Sequence, residues 1–436
     1  MPTITVDQAK LVLNAFAATF QNNLIAKDVV TWRKYDTELN DRNGLTVVEQ
    51  VGPRYAVTQT TSGVQDLSSG TQDSVFGSEQ FTVNQVFGSS MGWGDFVKIR
   101  DIGEARESTA ITNAAVNLAE KIDAYILKTA QMASNNWVGT PGNSVDTLDD
   151  FTAAYVRLKE EGVLDTDLRA VLPYSDQAAI ASSIIALPAL DEMATGTFRQ
   201  GFTGSVGGIP TMFTQQLSNL TVGSRAASGA SVKMNAATQN VNYKDVAKSG
   251  APGQYLTQTV NILIGSGTET LKDGEVFTIA GVYAWDNRLG QSLGRLQQFR
   301  VIGDYTATGG VVAAARIFPA IIVPGSGSGG DVNVNTAHAT VDSVPGAAAL
   351  ITFLGTASTA YKPRIILQKD AIQVNTADLI MPATGIGARK QLTKVPLSIR
   401  MWKNSNFNTG QHDVRFDVVL TANVRDRRRI VRVNGQ

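Results

Sequence analysis

The segment between Glu104 and Asn135 is the sequence feature that most constrains the fold. It contains no proline, and Gly139 and Pro141 follow it as stop signals. Its inward positions recur at steps of three and four, as on one face of a helix; they are Ile111, Ala115, Leu118, Ile122, Tyr125, Ile126, Thr129 and Met132. The opposite positions are polar: Arg106, Asn113, Asn117, Glu120, Lys121 and Lys128. We predict one unbroken helix of roughly 45–50 Å, a length suited to a scaffold element.

The residue totals exclude several classes of protein. Lys plus Arg and Asp plus Glu both count 38 in 436 residues, so no net charge steers the whole molecule towards nucleic acid or an anionic membrane. The absence of cysteine removes disulfides, thiolate metal sites and cysteine nucleophiles. The N-terminus lacks a signal-peptide pattern, and no window approaches the ~18 apolar residues of a membrane span. We expect a soluble, cytoplasmically made protein of several domains.

The first ninety or so residues predict a helix followed by a ribbon. An amphipathic helix over residues 5–26 needs a dock, which is either its own fold or a second subunit; its apolar face carries Val6, Ala9, Leu13, Phe16, Phe20 and Leu24. A short strand at Leu45–Val48 leads into residues 52–87, which are rich in Ser, Thr, Gln and Gly and predict a two-stranded ribbon that Gly92–Asp95 closes. The ribbon has too few large apolar residues to form a core, so we expect a neighbour to order it.

Two further regions follow the long helix. A compact α+β unit is predicted from a helix at Thr147–Glu161 with Thr147 as N-cap and Gly162 as its end, a strand at Arg169–Pro173, a helix at Ser175–Ile184 and a strand at Pro210–Phe213. From residue 223 to 348 the period becomes two, which predicts a small antiparallel barrel. Its strands are expected around Val260–Ile264, Val276–Tyr283, Phe299–Val301 and Val332–Val334, with Lys272–Gly274 as a hairpin turn.

The rest of the chain is predicted to return to mixed structure. Helical character is expected at Pro345–Leu354. Strands are then expected at Arg364–Gln368, Ala371–Val374, Leu397–Met401 and Val414–Val418, before a basic end.

Candidate chemical motifs are weak. Gly325–Gly330 matches a dinucleotide-binding pattern, but a strand rather than a helix is predicted after it, so a flexible loop is favoured. The two histidines, His338 and His412, lie in different predicted domains, which favours surface or packing roles over a triad or metal site.

Charged clusters also favour structural roles. The pairs Asp149/Asp150 and Glu160/Glu161 are interpreted as capping and solvated charges, although an acid/base pair from distant parts of the chain stays open. A basic cluster could contact phosphate, but Asp426 within it favours pairing with carboxylates at an edge or a subunit contact; it comprises Arg425, Arg427, Arg428, Arg429 and Arg432. We therefore predict no catalytic, cofactor-binding or metal-binding residues.

The order of these parts resembles the major capsid protein of tailed bacteriophages, and in particular the short-tailed branch with an inserted barrel. The stretches that carry the resemblance are Val47–Gln50, Lys272–Val282 and Asp370–Val374. It implies an α+β capsid-protein fold with an inserted antiparallel β-barrel. The implied parts are an N-terminal arm (1–44), an extended loop (45–90), a peripheral spine helix (91–139), an axial domain (140–222 and 353–386), the inserted barrel (223–352) and peripheral C-terminal strands (387–436).

The resemblance also implies function and partners. The chain would be a non-enzymatic shell protein that forms hexamers and pentamers of itself around double-stranded DNA, which it would contact only non-specifically. It would need no cofactor or membrane. Its further partners would be a separate scaffolding protein, a portal protein and, as an option, a decoration protein, with assembly in the host bacterial cytoplasm and a final place in the virion. The ribbon is expected to lie across an adjacent subunit, and with no Lys between Leu45 and Val97 no lysine cross-link is expected there.

Two alternatives stay open at this point. One is a carbohydrate-active hydrolase whose barrel binds sugar, which would require a cleft with paired carboxylates. The other is a different structural protein of the virion, such as a tail or decoration protein, which would lack the spine helix and arm.

Overall fold

The computed structural model describes residues 6–34, 46–51, 54–55, 57, 76–94, 103–164, 166–185, 205–226, 231–235, 255–325, 336–381, 385–406 and 411–435. Within these ranges the fold is mixed α+β, as predicted. The helices are α1 (Val6–Asn23), α2 (Ala26–Val29), α3 (Gly103–Ala133), α4 (Leu148–Glu160) and α5 (Tyr174–Ile185).

The strands fall in three larger sheets and three short pairs. In chain order the first twelve are β1 (Thr31–Lys34), β2 (Thr46–Val51), β3 (Gly77–Thr82), β4 (Gln85–Gly94), β5 (Asn136–Val138), β6 (Leu168–Leu172), β7 (Ser205–Val206), β8 (Ile209–Phe213), β9 (Leu220–Thr221), β10 (Lys233–Met234), β11 (Gln258–Leu263) and β12 (Thr270–Leu271). The others are β13 (Val276–Asp286), β14 (Gln291–Ile302), β15 (Tyr305–Thr306), β16 (Val311–Phe318), β17 (Ile351–Phe353), β18 (Ala360–Tyr361), β19 (Arg364–Gln368), β20 (Ile372–Ala377), β21 (Ile386–Gln391), β22 (Ser398–Asn406), β23 (Gln411–Val424) and β24 (Ile430–Val433).

The long helix α3 is confirmed and packs at the centre of the main hydrophobic core. Its predicted inward residues Ala115, Leu118, Ile122 and Ile126 are buried, and the described residues of its polar face are exposed, among them Lys121. The apolar face of α3 packs on α1 and on the C-terminal sheet, whose strand order is β1-β20-β23-β22-β21 with β4 paired to β23. The helix thus acts as the predicted scaffold.

Helix α1 is docked on its own chain. Leu13, Phe16, Phe20 and Leu24 are buried, as their spacing predicts. The Phe16 ring stacks on Phe416 of β23 with a centroid distance of 3.9 Å. Of the two docks left open by the sequence, the structure therefore shows the chain's own fold.

The base of the ribbon is confirmed, whereas its predicted closure is wrong. Strands β2 and β3 form a two-stranded antiparallel pair, with Thr46 opposite Thr82 and Val51 opposite Gly77. Residues 58–75 lie outside the described part of the chain. Gly92 does not close the ribbon, since it lies in β4, which pairs along β23 and begins inside the predicted extended loop. Small residues suit this strand because a Cβ at Gly88 would lie 2.7 Å from Asp417 Oδ1; Asp95 is not among the described residues.

The α+β unit has the predicted elements with one different detail. Helix α4 buries Phe151, Ala154 and Leu158, and Gly162 follows it with a φ of 81°. Thr147 is at the N-cap position, but its side chain makes no capping bond to the backbone. Instead its hydroxyl donates to Asp150 Oδ2 (3.2 Å). The surrounding sheet has the order β5-β24-β19-β6-β8-β7.

The barrel prediction is confirmed by a six-stranded antiparallel sheet of order β10-β11-β16-β14-β13-β17. A bridge between Lys233 and Leu350 brings its two edge strands together. Its interior is apolar, with Ile262, Phe277, Phe299 and Ile317 fully buried.

Two predictions inside the barrel region are wrong, and one is not described. Lys272–Gly274 is a corner rather than a hairpin turn, because β12 pairs with β15 whereas β13 pairs with β14 and β17. Pro345–Leu354 is not helical, since Ile351–Phe353 form β17 and pair with β13. Pairing with a distant strand overrides the local pattern there. Val332–Val334 lie outside the described residues.

Candidate functional site

The residues singled out from the sequence do not converge on one site. Of the motif Gly325–Gly330, Gly325 alone lies in the described ranges, where its N–H donates to Thr336 Oγ1 (3.3 Å); the flexible-loop interpretation stays a prediction. His338 is 3% exposed. Burial, with the cations Arg54 and Arg428 adding to it, lowers the pKa of His338 to about 3. A packing role for His338 fits this neutral state; His412 lies in β23 and its side chain is not described.

The interpretation of Glu160 and Glu161 as solvated charges is wrong. Both carboxylates bind Arg295 of the barrel, Glu160 through Nε at 2.5 Å and Glu161 through Nη2 at 3.2 Å. The barrel also contacts this helix end through Arg288, whose Nη2 donates to the Gly162 carbonyl (2.7 Å). These contacts attach the end of α4 to the barrel, and they hold the barrel against the α+β unit.

A cleft of about 240 Å³ lies beside these ion pairs, between α4 and the barrel. Its carboxylates are Glu160, Glu161 and Asp286. The two glutamates bind Arg295, and Asp286 accepts the N–H of Arg288 in a turn (2.8 Å). A hydrolase would need one carboxyl group to act as acid and a second as base or nucleophile. The described carboxylates of the cleft are instead held in structural contacts.

The C-terminal arginines divide into three kinds. Arg427 binds Glu79 of the ribbon (3.1 Å), while Arg428 and Arg429 bind Asp426. Burial alone would raise the pKa of Asp426, but Arg428 and Arg429 lower it to about 2. These three pairs confirm the expected pairing with carboxylates. Arg425 is exposed.

Arg432 departs from that expectation. Its side chain is completely buried, and its guanidinium donates to backbone carbonyls of Gly274 (2.6 Å), Met132 (3.3 Å) and Ser134 (2.5 Å). Burial lowers the pKa of Arg432 to about 9, and the neighbouring cation Arg300 adds to this. Arg432 thus joins the barrel corner at Gly274 to the end of α3. A carboxylate is not required because the freed carbonyls at a helix end are themselves acceptors.

Asp123 is a structural residue that the sequence patterns miss. It lies on the buried face of α3, and its two oxygens accept the N–H groups of Ile25 and Ala26, each at 2.8 Å. These N–H groups begin α2, where Ile25 offers no side-chain cap of its own. Asp123 therefore caps α2 from 97 residues away and attaches the N-terminal helices to the long helix. An acid next to the apolar stripe, beside Ile122, was the available signal.

The ribbon carries exposed apolar residues. The exposed fractions are 57% for Val48, 55% for Tyr55, 96% for Val57 and 51% for Phe76. Beyond their mutual pairing, β2 and β3 join no other sheet in the described part of the chain. Exposed apolar side chains on a two-stranded element of this kind are suited to contact with another protein surface.

Two absences concern the described residues only. No group of three or more His, Asp or Glu in these ranges is placed to hold a metal ion. No helix in the same ranges is long and apolar enough to cross a membrane.

Comparison with known proteins identifies a family. The family model of the P22 coat protein, gene protein 5, matches residues 1–429. No curated protein matches the chain.

Solved structures give weaker likenesses. A protein of Mycobacterium phage Che8 is 9% identical, with 94% of this chain and 90% of that chain covered and a TM-score of 0.45. The capsid structure of the cyanophage P-SCSP1u is also 9% identical, with 94% of this chain and 88% of that chain covered and a TM-score of 0.45. The CUS-3 coat protein I-domain is 25% identical over 30% of this chain and 100% of that chain, with a TM-score of 0.22. Because these TM-scores are low, the match to the family model carries the assignment.

Proposed function

The chain belongs to the P22 coat protein family, and from this premise we propose how it builds a phage head. It is a major capsid protein, a structural component of the virion that assembles with copies of itself. We propose that the copies form hexamers and pentamers of an icosahedral shell around double-stranded DNA. The observation that carries the proposal is the family match over residues 1–429.

The finer division of the chain is part of the proposal. Residues 1–44 would be the arm, 45–90 the extended loop, 91–139 the spine, 140–222 with 353–386 the axial domain, 223–352 the inserted barrel and 387–436 the peripheral strands. The barrel boundaries are supported by its separate apolar core. We propose that the extended loop ends before Gln85, because β4 begins there and pairs along β23.

Partners and activity complete the proposal. We expect a separate scaffolding protein, a portal protein and optional decoration proteins, with assembly in the host cytoplasm. We expect no catalytic activity, in keeping with a structural coat protein. Near-neutral total charge supports non-specific contact with packaged DNA, because a strongly cationic wall would bind it tightly.

The contact between copies is proposed to use the exposed ribbon. Val48→Lys with Phe76→Lys should leave a folded subunit that forms no closed shells, because both side chains are about half exposed and would be buried by a neighbour. Leu164→Lys with Leu289→Lys is the matched control, since these side chains have exposed fractions of 67% and 70% and lie after the end of α4 and in the barrel rather than in residues 45–90.

Electron microscopy and sedimentation measure the outcome, and circular dichroism checks the fold. Closed shells from the ribbon variant, or equal loss of shells in the control, would overturn the ribbon contact. A deletion that tests the same contact should remove only residues 58–75. Glu79 and Phe81 are buried at the base of the ribbon, so removing them would disturb the fold of the subunit itself.

A further inference from the structure

The base of the ribbon is seated on the inserted barrel and on the turn before the last strand. We call this contact the ribbon seat and define it by Gly77, Glu79, Tyr255, Phe318 and Arg427. Glu79 and Arg427 are 3% and 8% exposed, so their ion pair is almost removed from water. The ribbon also carries exposed apolar residues, among them Val48 and Phe76, whereas at the seat it is held by the rest of the chain.

The ion pair joins three parts of the chain. Arg427 Nη2 donates to Glu79 Oε1 (3.1 Å), which links the ribbon to the C-terminal turn. The same guanidinium lies over the ring of Phe318 on the barrel, 5.2 Å from its centroid. A buried guanidinium that loses its carboxylate partner strongly destabilises the fold. Removing Glu79 should therefore disturb the turn and the barrel surface together with the ribbon.

A second contact fixes the same strand without charge. Tyr255 lies so close to Gly77 that a Cβ added there would be 2.1 Å from Tyr255 Cε2. Tyr255 and Phe318 belong to one buried apolar cluster on the barrel. Two neighbouring positions of β3 thus rest on one barrel face, one by shape and one by charge.

We propose that Arg427 is a positioning residue that aims the ribbon, so that the inserted barrel determines where the ribbon meets the next copy. This inference rests on the proposed ribbon contact between copies. The stability of the barrel alone would require neither Gly77 next to Tyr255 nor the Glu79 carboxylate bound beside Phe318.

The ribbon supplies its own matched control for the test. Glu49 is directly opposite Glu79 in the β2–β3 register. Its partner is Arg33, whose side chain is 52% exposed, so this ion pair is solvated. Glu79→Gln and Glu49→Gln therefore make the same chemical change at one level of the ribbon, but Glu79 binds the buried Arg427 and Glu49 binds the exposed Arg33.

The experiment combines hydrogen exchange on unassembled full-length subunits with electron microscopy of assembly products. Glu79→Gln and Arg427→Gln should each lower the protection of peptides covering 76–82 and 425–429 by about tenfold or more. Both should give open or misshapen particles, with exchange in the barrel interior unchanged. Glu49→Gln should give the parent's particles and should not lower the protection of residues 76–82, because it keeps the Glu79–Arg427 pair and removes only a like charge opposite Glu79.

Gly77→Ala provides a second route because it displaces Tyr255 and leaves the charges intact. It should loosen residues 76–82 and misdirect assembly in the same way. Unchanged exchange and normal shells for Glu79→Gln and Gly77→Ala would overturn the seat while leaving the ribbon contact standing. Normal shells from Val48→Lys with Phe76→Lys would instead overturn the ribbon contact, whatever the seat variants do.

Discussion

Replacing Asp123 with Asn tests the contact that attaches the N-terminal helices to the long helix. The carboxylate accepts two backbone N–H groups at 2.8 Å and is 1% exposed. Near pH 5 the carboxyl is protonated, because burial raises its pKa to about 7, but it still presents an oxygen to each N–H. Asparagine keeps one acceptor and turns an amide donor towards the second N–H. An unsatisfied buried donor costs about 1–3 kcal/mol, so Asp123→Asn should lower the free energy of opening of α2 by this amount near pH 5.

The pH dependence follows from the same contact. Burial raises the pKa of Asp123 from 3.8 to about 7, opposed by the N–H groups of Ile25 and Ala26 and by Lys27, while Glu120 adds to the rise. The docked carboxyl therefore keeps its proton to higher pH than the undocked one. Its contribution is complete below pH of about 4 and is lost as pH rises to about 7, a change on the order of 4 kcal/mol at most.

Hydrogen–deuterium exchange of a peptide covering residues 24–30, corrected for intrinsic exchange rates, measures this opening. The parent protein should lose protection between pH 4 and pH 7, whereas Asp123→Asn should show a flat profile. The difference in the free energy of opening between the two proteins should therefore shrink as pH rises. Glu120→Gln, a carboxyl change on the exposed face of the same helix, should keep the pH dependence but move it slightly to lower pH, because Glu120 adds to the raised pKa of Asp123. Parallel pH profiles for the parent and Asp123→Asn would refute the reasoning.

Three further changes have defined outcomes by scanning calorimetry. Asp176→Ala leaves the buried Arg364 without the carboxylate that binds it at 2.6 and 2.7 Å, and should destabilise the α+β unit by about 3–5 kcal/mol. A loss of stability below about 1 kcal/mol would contradict this. Arg432→Met leaves three carbonyls without their donor and should cost about 2–5 kcal/mol; an unchanged transition argues against that contact. Gly223→Ala places a Cβ 2.0 Å from the Thr270 carbonyl oxygen and should destabilise the barrel by about 1–3 kcal/mol, whereas Gly346→Ala, with open space around it, should be near neutral.

Periodicity predicts the elements of this fold well where one face is buried along a whole element. The stripe on α3, the inward residues of α4 and the alternation in β22 and β23 place most of the predicted side chains in the core. The predicted inward residues that are only half-buried are Ile111, Tyr125, Thr129, Met132 and Tyr155. The order of these elements also led to the correct family resemblance. These signals are local, since each depends on residues a few positions apart.

Contacts between distant segments could not be predicted from the sequence patterns. Glu79 and Arg427 are 348 residues apart, and the cap from Asp123 spans 97 residues. Neither pair has a spacing that a pattern could detect. The strands β4 and β17 were missed for a related reason: pairing with β23 and β13 stabilises them, although their own sequences indicate a loop closure and a helix.

The docking of α1 on its own chain narrows what assembly must complete. With Phe16 stacked on Phe416, the described part of the arm needs no neighbour for its apolar face. The exposed residues of the ribbon, including Val48 and Phe76, remain as the surface that another copy would cover. In the proposed assembly, the dependence of one copy on the next therefore lies in the ribbon and its seat.

The most direct test of this account is the size of the particles that the purified chain forms. Sedimentation velocity over a range of concentrations, with electron microscopy of the same samples, should show a folded subunit in equilibrium with megadalton shells or shell fragments. The Val48→Lys, Phe76→Lys variant should show the subunit alone. A parent protein that stays a monomer or small oligomer at every concentration would contradict the account.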